Sequence, residues 1–580
     1  MKEIYFAKKN KTLSRFLPVK FPGISKLMIF VLMIPVFWSC EFLDYNESAQ
    51  YEKDKIFYYM DRTKQVLSNI YGYLPTDYSS VGGAMRSSAT DDAVDVWDIS
   101  DIQKFGDGSW NAVVTLDNVW NNMYAAIRTA NVFLAEAPGL TFSETVYNVG
   151  YADAMKAYKL YPYEARFLRA FYYAELIKRY GDVPLDTTVI NQEEANTIKP
   201  AAYDDIVKFI VRECDSAASK LPVTFSTFIS QETGRATKGA AMALKARTLL
   251  YAASPLHNPG NDQAKWILAA NAAKNLIDQL NATYTPLPVY GDVVNKLTSK
   301  ELIFERRQAS ARSFEEANTA IGFIGGNTGT CPTQNLVDAY EMKATGLGIN
   351  EPGSGYDSAN PYSTSGAAAR DPRLAMTILY NGSIWKSPLT VETWYGGLNA
   401  APKNNATKTG YYLKKHLIES LSLNPVNPGT AIHYWILFRY AEVLLNYAEA
   451  MNEAYGPDAT GLAPLDMTAR AAVNFVRNRQ GVVMPLFPAG MAQSAFREKL
   501  MNERRVELAF EDHRFWDIRR WKIGNDTRVI RGVDLTKNGT VITYIPKVVE
   551  TRIWDDKMYL YPIPQTELFI NHNLVQNPGW

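Results

Sequence analysis

The chain has 580 residues, and its 61 lysines and arginines against 60 aspartates and glutamates give a formal net charge of +1. This balance argues against nucleic-acid binding, which needs basic stripes on the protein surface. Its 3 cysteines are too few for a scaffold held together by disulfides, and its length is enough for a large buried core.

Residues 1–39 have the pattern of a lipoprotein signal peptide, and Cys40 has that of the acylated residue. A basic stretch precedes an apolar run from Leu27 to Trp38. As a helix this run covers about 18 Å, less than the hydrocarbon core of about 30 Å. It therefore suits a signal peptide better than a membrane-spanning helix. We expect cleavage before Cys40 and acylation of its thiol, with an uncleaved interfacial anchor as the alternative.

Helical periodicity recurs along the rest of the chain, and many apolar positions carry small alanines that allow helices to pack closely. The predicted fold class is therefore mostly α, a solenoid-like scaffold of helical pairs with long irregular insertions. The predicted helices cover residues 55–73, 116–135, 163–180, 203–221, 237–253, 266–280, 435–454, 468–480 and 495–521.

Two regions lack this periodicity. Residues 76–111 are rich in Gly, Ser, Asp and Trp, and residues 299–429 are rich in Gly, Asn, Thr, Pro and Tyr. Loops of this length are usually functional, and binding groups usually lie on loops held by a rigid scaffold. We therefore expect a binding site built from both insertions.

The charged segment Glu503–Arg520 could suggest acid–base chemistry, but its spacing favours a structural role. Arg504 and Glu507 are three residues apart, as are Glu511 and Arg514, which predicts ion pairs along one helix face that hold the helix to its neighbours. The five histidines are scattered and show no ligand spacing with each other or with cysteine, so no metal site is predicted.

A series of short, different motifs is spread along the chain between Cys40 and the C-terminus. They are Glu164–Tyr173, Tyr180–Leu185, Gly234–Ala241, Pro332–Met342, Arg370–Arg373, Phe438–Ala450, Glu503–Trp521, Tyr561–Pro564 and Asn573–Trp580. In order and number these motifs resemble the SusD/RagB family of Bacteroidota.

The resemblance implies a cell-surface lipoprotein of the outer membrane, anchored through Cys40, with helical pairs of tetratricopeptide type. It implies binding of an oligosaccharide, or in some members a peptide, and delivery to a SusC-like TonB-dependent barrel, with no enzymatic activity and no cofactor. The expected parts are the leader 1–39, an N-terminal scaffold 40–298 with the first loop 76–111, and a C-terminal region 299–580 with the second loop 299–429 and the closing helices.

Aromatic residues in the two loops are the candidates for sugar contacts, because a ring face can stack on the apolar face of a pyranose while polar neighbours fix its orientation. In the first loop the candidates are Trp97 and Trp110, with Asp91, Asp92 and Asn111 as polar partners; for Trp110 the alternative is a cap on the core. The second loop offers Trp385, Trp394 and Tyr395, and Tyr290 is a weaker candidate.

Three alternatives remain at this stage. One is a peptide-binding receptor of RagB type. A second is a secreted glycoside hydrolase that uses Asp91 and Asp92, with Asp95 and Asp98 nearby, which would require two carboxyl groups about 5–9.5 Å apart across the scissile bond. We favour hydrogen bonds from sugar hydroxyls to these acidic side chains. The third is a helical adaptor that binds only protein.

Overall fold

The computed structural model describes residues 53–226, 232–285 and 287–580. The predicted leader and Cys40 lie outside the described residues. Phe57–Trp580 form one unit, which contains every element discussed here, and the predicted boundary between residues 298 and 299 stays a prediction. No helix in the described ranges is long and apolar enough to cross a membrane.

Helices packed in sequential pairs are the main regular structure of this unit, which confirms the predicted fold class. Each long helix contacts its neighbour in sequence from α2 to α7, and α7 also contacts α8 and α9. The helices are α1 (Met60–Gly72), α2 (Trp120–Glu136), α3 (Tyr161–Tyr180), α4 (Tyr203–Ala218), α5 (Lys238–Ala253), α6 (Gln263–Tyr284), α7 (Tyr440–Tyr455), α8 (Ala469–Arg477), α9 (Gln493–Glu507) and α10 (His513–Arg520). Shorter helices include Tyr151–Tyr158, which the sequence analysis did not predict.

Local sequence explains where several of these helices begin and end. The Thr237 side chain accepts a hydrogen bond from the backbone N–H of Ala240 and caps α5, and Thr468 caps α8 in the same way. Helix α3 ends at Gly181, whose φ of +71° favours glycine. Helices α5 and α6 pack against each other, and the alanines of α5 are all buried; such small side chains allow neighbouring helices to approach closely.

Two predicted helices are wrong in part. The segment predicted to open α7 is instead strand β4, Tyr434–Arg439, which pairs antiparallel with β2, Leu302–Arg307. A short apolar run is compatible with either a helix or a buried strand, and the pairing partner decides between them. The predicted helix 495–521 breaks after α9, because Phe510 and Asp512 have positive φ.

Strand pairs connect the regions that the sequence analysis treated as loops. Strand β1, Ala93–Asp95, pairs antiparallel with β3, Thr330–Pro332, so the two predicted insertions contact each other. The longest pair is the hairpin of β5, Val529–Asn538, and β6, Val541–Thr551, which the sequence analysis missed. Two shorter pairs join Val183–Pro184 to Pro200–Ala201 and Ile378–Leu379 to Tyr412–Leu413.

A buried ion network holds α9 to the rest of the unit. Glu507 accepts hydrogen bonds from Arg373 and Arg439, each at 2.8 Å, and from Arg479. The predicted structural role of this charged segment is therefore confirmed. The predicted pairs along one helix face are wrong, because the helix breaks and its carboxylates turn toward arginines of other elements.

Candidate functional site

Trp97 lies in the first loop directly after β1, and its side chain is 40% exposed. The backbone around it is held on several sides. The Val96 N–H donates to the Gly329 carbonyl oxygen at 2.8 Å, and the Gln103 amide donates to the carbonyl oxygen of Trp97 at 3.0 Å. The ring is therefore presented to solvent from a fixed backbone.

Lys408 of the second loop joins the two insertions at this point. Its ammonium donates to the Asp95 carbonyl oxygen at 3.0 Å and to Asp98 Oδ1 at 2.5 Å. The sequence analysis missed Lys408, because it lies 313 residues from Asp95 along the chain. No local pattern marks such a contact.

The Asp95 carboxyl group is buried close to the loop that carries Trp97. It lies close to the Ser100 hydroxyl, which donates to the Gly82 carbonyl oxygen at 3.1 Å. Burial raises its pKa to about 6, and the nearby Lys408 only partly opposes this shift. The loop therefore contains a carboxyl group that titrates in a weakly acidic range.

Trp394 and Tyr395 are positioned by the C-terminal hairpin. The Tyr395 N–H donates to the Leu535 carbonyl oxygen at 2.9 Å, and Trp394 forms a parallel bridge with Leu535. The Lys537 ammonium lies 4.5 Å from the ring centroid of Trp394, within the range of a cation–π contact. Tyr395 is 68% exposed, so this segment also presents an aromatic ring to solvent.

Side-chain hydrogen bonds within the second insertion join the segment that follows Trp394 and Tyr395 to residues 321–328, which precede the Gly329 carbonyl group that accepts from Val96. The Asn399 amide donates to the Ile321 carbonyl oxygen at 2.6 Å, and the Thr328 hydroxyl donates to the carbonyl oxygen of Asn405. Gly322 has a φ of +93°, and a Cβ there would lie 2.1 Å from the Leu398 carbonyl oxygen, so only glycine fits. We call residues 96–98 and 394–395, which carry Trp97, Trp394 and Tyr395, the aromatic loops.

Asp91 and Asp92 are buried and ion-paired. Asp91 accepts hydrogen bonds from Arg514 at 2.8 and 2.9 Å, and Asp92 accepts one from Arg505 at 2.6 Å. Although burial opposes the shift, Arg505 and Arg514 lower the pKa of Asp91 to about 2. These carboxylates tie the first loop to α9 and α10 through arginine, while Asp92 Oδ2 has no hydrogen-bond partner among the described residues.

Trp110 is only 2% exposed and packs in an aromatic cluster. Its ring centroid lies 4.9 Å from that of Phe105, 5.3 Å from that of Tyr561 and 4.5 Å from that of Trp580. This placement supports the alternative in which Trp110 caps the core. The neighbouring Asn111 is exposed, and its side-chain oxygen accepts from two backbone N–H groups of its own turn.

Trp385 and Tyr290 come together in a different place. Both are 2% exposed, and both line a cavity of about 780 Å³ that none of the aromatic loop rings lines. The Tyr290 hydroxyl donates to the Glu507 carbonyl oxygen at 3.1 Å and accepts from Lys415 at 2.8 Å. Of the eight predicted ligand residues, the structure thus leaves Trp97, Trp394 and Tyr395 on the aromatic loops.

Two family models match the chain. One described as "SusD family" matches residues 300–580, and one described as "Starch-binding associating with outer membrane" matches residues 41–250. SusD-like protein P2 of Formosa agariphila is 26% identical over 486 residues, which cover 83% of each chain. SusD-like protein P25 of the same organism is 23% identical over 595 residues, which cover 96% of this chain and 98% of P25.

Solved structures show the same relationship. A SusD-like protein from Bacteroides fragilis NCTC 9343 matches with a TM-score of 0.74 and 26% identity, covering 91% of this chain and 99% of that one. A SusD-like carbohydrate binding protein from the same organism matches with a TM-score of 0.69 and 27% identity, covering 90% of this chain and 100% of that one.

Proposed function

Because this chain belongs to the SusD/RagB family, we propose that it is a cell-surface lipoprotein that captures oligosaccharides on its aromatic loops. We further propose that it delivers them to a SusC-like TonB-dependent barrel, with the lipid on Cys40 keeping both at the outer membrane. The observation that carries the proposal is the exposed ring of Trp97 on a loop whose backbone is fixed from both insertions.

Stacking and hydrogen bonding together account for such capture. An indole ring that is already held in place loses little conformational freedom when a sugar ring stacks on it. Asp98 and Lys408 lie beside Trp97 and keep solvent-facing polar atoms that sugar hydroxyls can contact. The rings of Trp394 and Tyr395 offer further stacking surface for a ligand of more than one sugar unit.

The contacts of Asp91 and Asp92 support binding rather than hydrolysis. A glycoside hydrolase needs one carboxylic acid that can donate a proton to the leaving group. Arg505 and Arg514 pair with Asp91 and keep it ionised. Burial raises the pKa of Asp92, but this residue is completely buried and pairs with Arg505, so neither carboxyl group is open to a glycosidic bond. The proposal therefore assigns these residues to the support of the first loop and gives the protein no catalytic step.

The Trp97→Ala substitution tests this function. We expect isothermal titration against a panel of neutral oligosaccharides to find a ligand of the wild-type protein. Trp97→Ala should weaken its binding about tenfold or more, because a truncated central aromatic loses its stacking surface. Tyr147→Ala is the matched control, since Tyr147 is a 97% exposed aromatic residue outside the aromatic loops.

Three outcomes would contradict the proposal. They are release of shorter sugars during incubation, binding of peptides but of no oligosaccharide in the panel, and equal oligosaccharide affinity of the Trp97→Ala and Tyr147→Ala proteins. The first would indicate a hydrolase, the second a peptide receptor, and the third a site elsewhere on the protein.

A further inference from the structure

The cavity of about 780 Å³ next to Trp385 differs from the aromatic loops in its lining, which combines apolar side chains with lysines. Its volume lies within the range of about 300–1,000 Å³ that is usual for small-molecule sites. Apolar side chains of Val294, Met376, Trp385 and Leu417 form part of the wall. Lysine, serine, asparagine and glutamate side chains form most of the rest, so the cavity is amphipathic.

Two lysines at this cavity lack a carboxylate partner. The Lys386 ammonium donates to the carbonyl oxygens of Glu419 and Leu421 at 2.5 and 2.6 Å, and the Lys414 ammonium donates to that of Ala375 at 2.7 Å. Neither forms an ion pair within the described part of the chain. An ammonium group has three N–H donors, so Lys414 keeps two for another acceptor.

The balance of charge at the cavity is positive. Lys415 also lines it but is neutralised by Glu511 at 2.6 Å. Glu419 is the one acid among the described lining residues, and its charge is shared between Lys386 and Lys414 without an ion pair to either. Lys386 and Lys414 are both half-buried, and burial lowers the pKa of each. A partly desolvated cation is stabilised most by an anion that replaces the lost water.

We propose that this cavity is a second ligand site, and that it binds a sugar that carries a carboxylate or a sulfate group. The anionic group contacts Lys386 and Lys414, while the apolar face of the sugar ring lies against the apolar wall. Asn295 donates its amide to the Gly291 carbonyl oxygen, which leaves its Oδ1 to accept a sugar hydroxyl. The site stands on its own residues and does not require the aromatic loops to bind.

The test uses the full-length protein and three probes of similar size in isothermal titration. Tetragalacturonate carries carboxylates, a sulfated carrageenan tetrasaccharide carries sulfates, and maltotetraose is neutral. We expect at least one anionic probe to bind, more weakly at high salt because the contact is ionic. In the double variant Lys386→Gln/Lys414→Gln its affinity should fall about tenfold or more.

Controls separate charge from folding and from the first site. Lys220→Gln removes an exposed lysine outside the cavity and should leave the affinity unchanged. Lys386→Arg/Lys414→Arg keeps both charges and should retain most of the binding. The melting temperature of every variant is measured to show that it is folded. Trp97→Ala should not affect the anionic probe if the two sites are separate.

The proposal is overturned if neither anionic probe binds, or if the double glutamine variant binds it as well as Lys220→Gln does. It is also overturned if Trp97→Ala, and not the lysine variants, removes the binding of the anionic probe. That last result would place the anionic probe on the aromatic loops and would leave the proposed function intact.

Discussion

At the scale of single residues, the two tryptophans of the first loop show how far local sequence reaches. Trp97 and Trp110 lie in the same polar, glycine-containing stretch, and both are candidates for sugar contacts from the sequence, with a cap on the core as the alternative for Trp110. Trp97 is exposed, whereas Trp110 is packed against Trp580 from the far end of the chain. The difference comes from a contact between residues that are distant in sequence.

Asp95 gives a prediction at this scale. Its raised pKa means that the folded loop favours the protonated carboxyl group, so its contribution to stability is present below about pH 4 and is lost as the pH rises through about 6. Asp95→Asn removes this titration. The difference in free energy of unfolding between wild type and Asp95→Asn should therefore change by about 1–2 kcal/mol across this range, with wild type losing stability relative to the variant as the pH rises.

Urea denaturation at several pH values measures this difference. Ser100→Ala serves as a companion variant, because it removes a nearby hydroxyl group that opposes the rise in the pKa of Asp95 and leaves the titrating carboxyl group in place. A difference between wild type and Asp95→Asn that stays constant across the range would show that the Asp95 carboxyl group titrates normally.

At the scale of elements, arginine–glutamate contacts decide how the last helices pack. The sequence analysis predicted one helix from 495 to 521 with ion pairs along its own face. In the structure the chain turns after α9, and Glu507 points to arginines of three other segments. A glutamate can be assigned a structural role from its spacing, but its partners depend on which elements approach it.

Glu507→Gln should destabilise the fold strongly. Glu507 is fully buried, and despite this burial Arg479, Arg439 and Arg373 hold its pKa well below the usual range. Removing the charge leaves buried guanidinium groups under-compensated, which typically costs about 3–5 kcal/mol. Chemical denaturation measures the loss, and Glu498→Gln, an exposed position on the same helix, should change stability by less than about 0.5 kcal/mol. Similar stabilities of the two variants would show that the network contributes little.

At the scale of the whole molecule, the proposed delivery depends on anchoring. A lipid on Cys40 would confine the protein to the membrane surface that holds the proposed barrel. This would raise the effective concentration of the protein at the barrel. One acyl chain binds a membrane only marginally, whereas several hold it firmly. The aromatic loops can then release a ligand close to the partner.

Purification of the native protein from detergent-solubilised outer membranes tests this arrangement. We expect an N-terminal peptide that begins at an acylated Cys40, and a TonB-dependent barrel that co-purifies with the protein. Cys40→Ala should move the protein out of the membrane fraction. An unmodified Cys40 with residues 1–39 still attached would contradict the anchor, and a pure preparation without a barrel would contradict the partnership.

Local pattern was enough for the helical scaffold, because helical periodicity depends on residues a few positions apart. The motifs also indicated the family, since their order along the chain is that of the SusD/RagB family. The site depended on contacts that no local pattern contains. Lys408 meets Asp95 across 313 residues, and Leu535 positions Tyr395. Whether an aromatic ring in a loop faces solvent or the core depends on which distant segment packs against it.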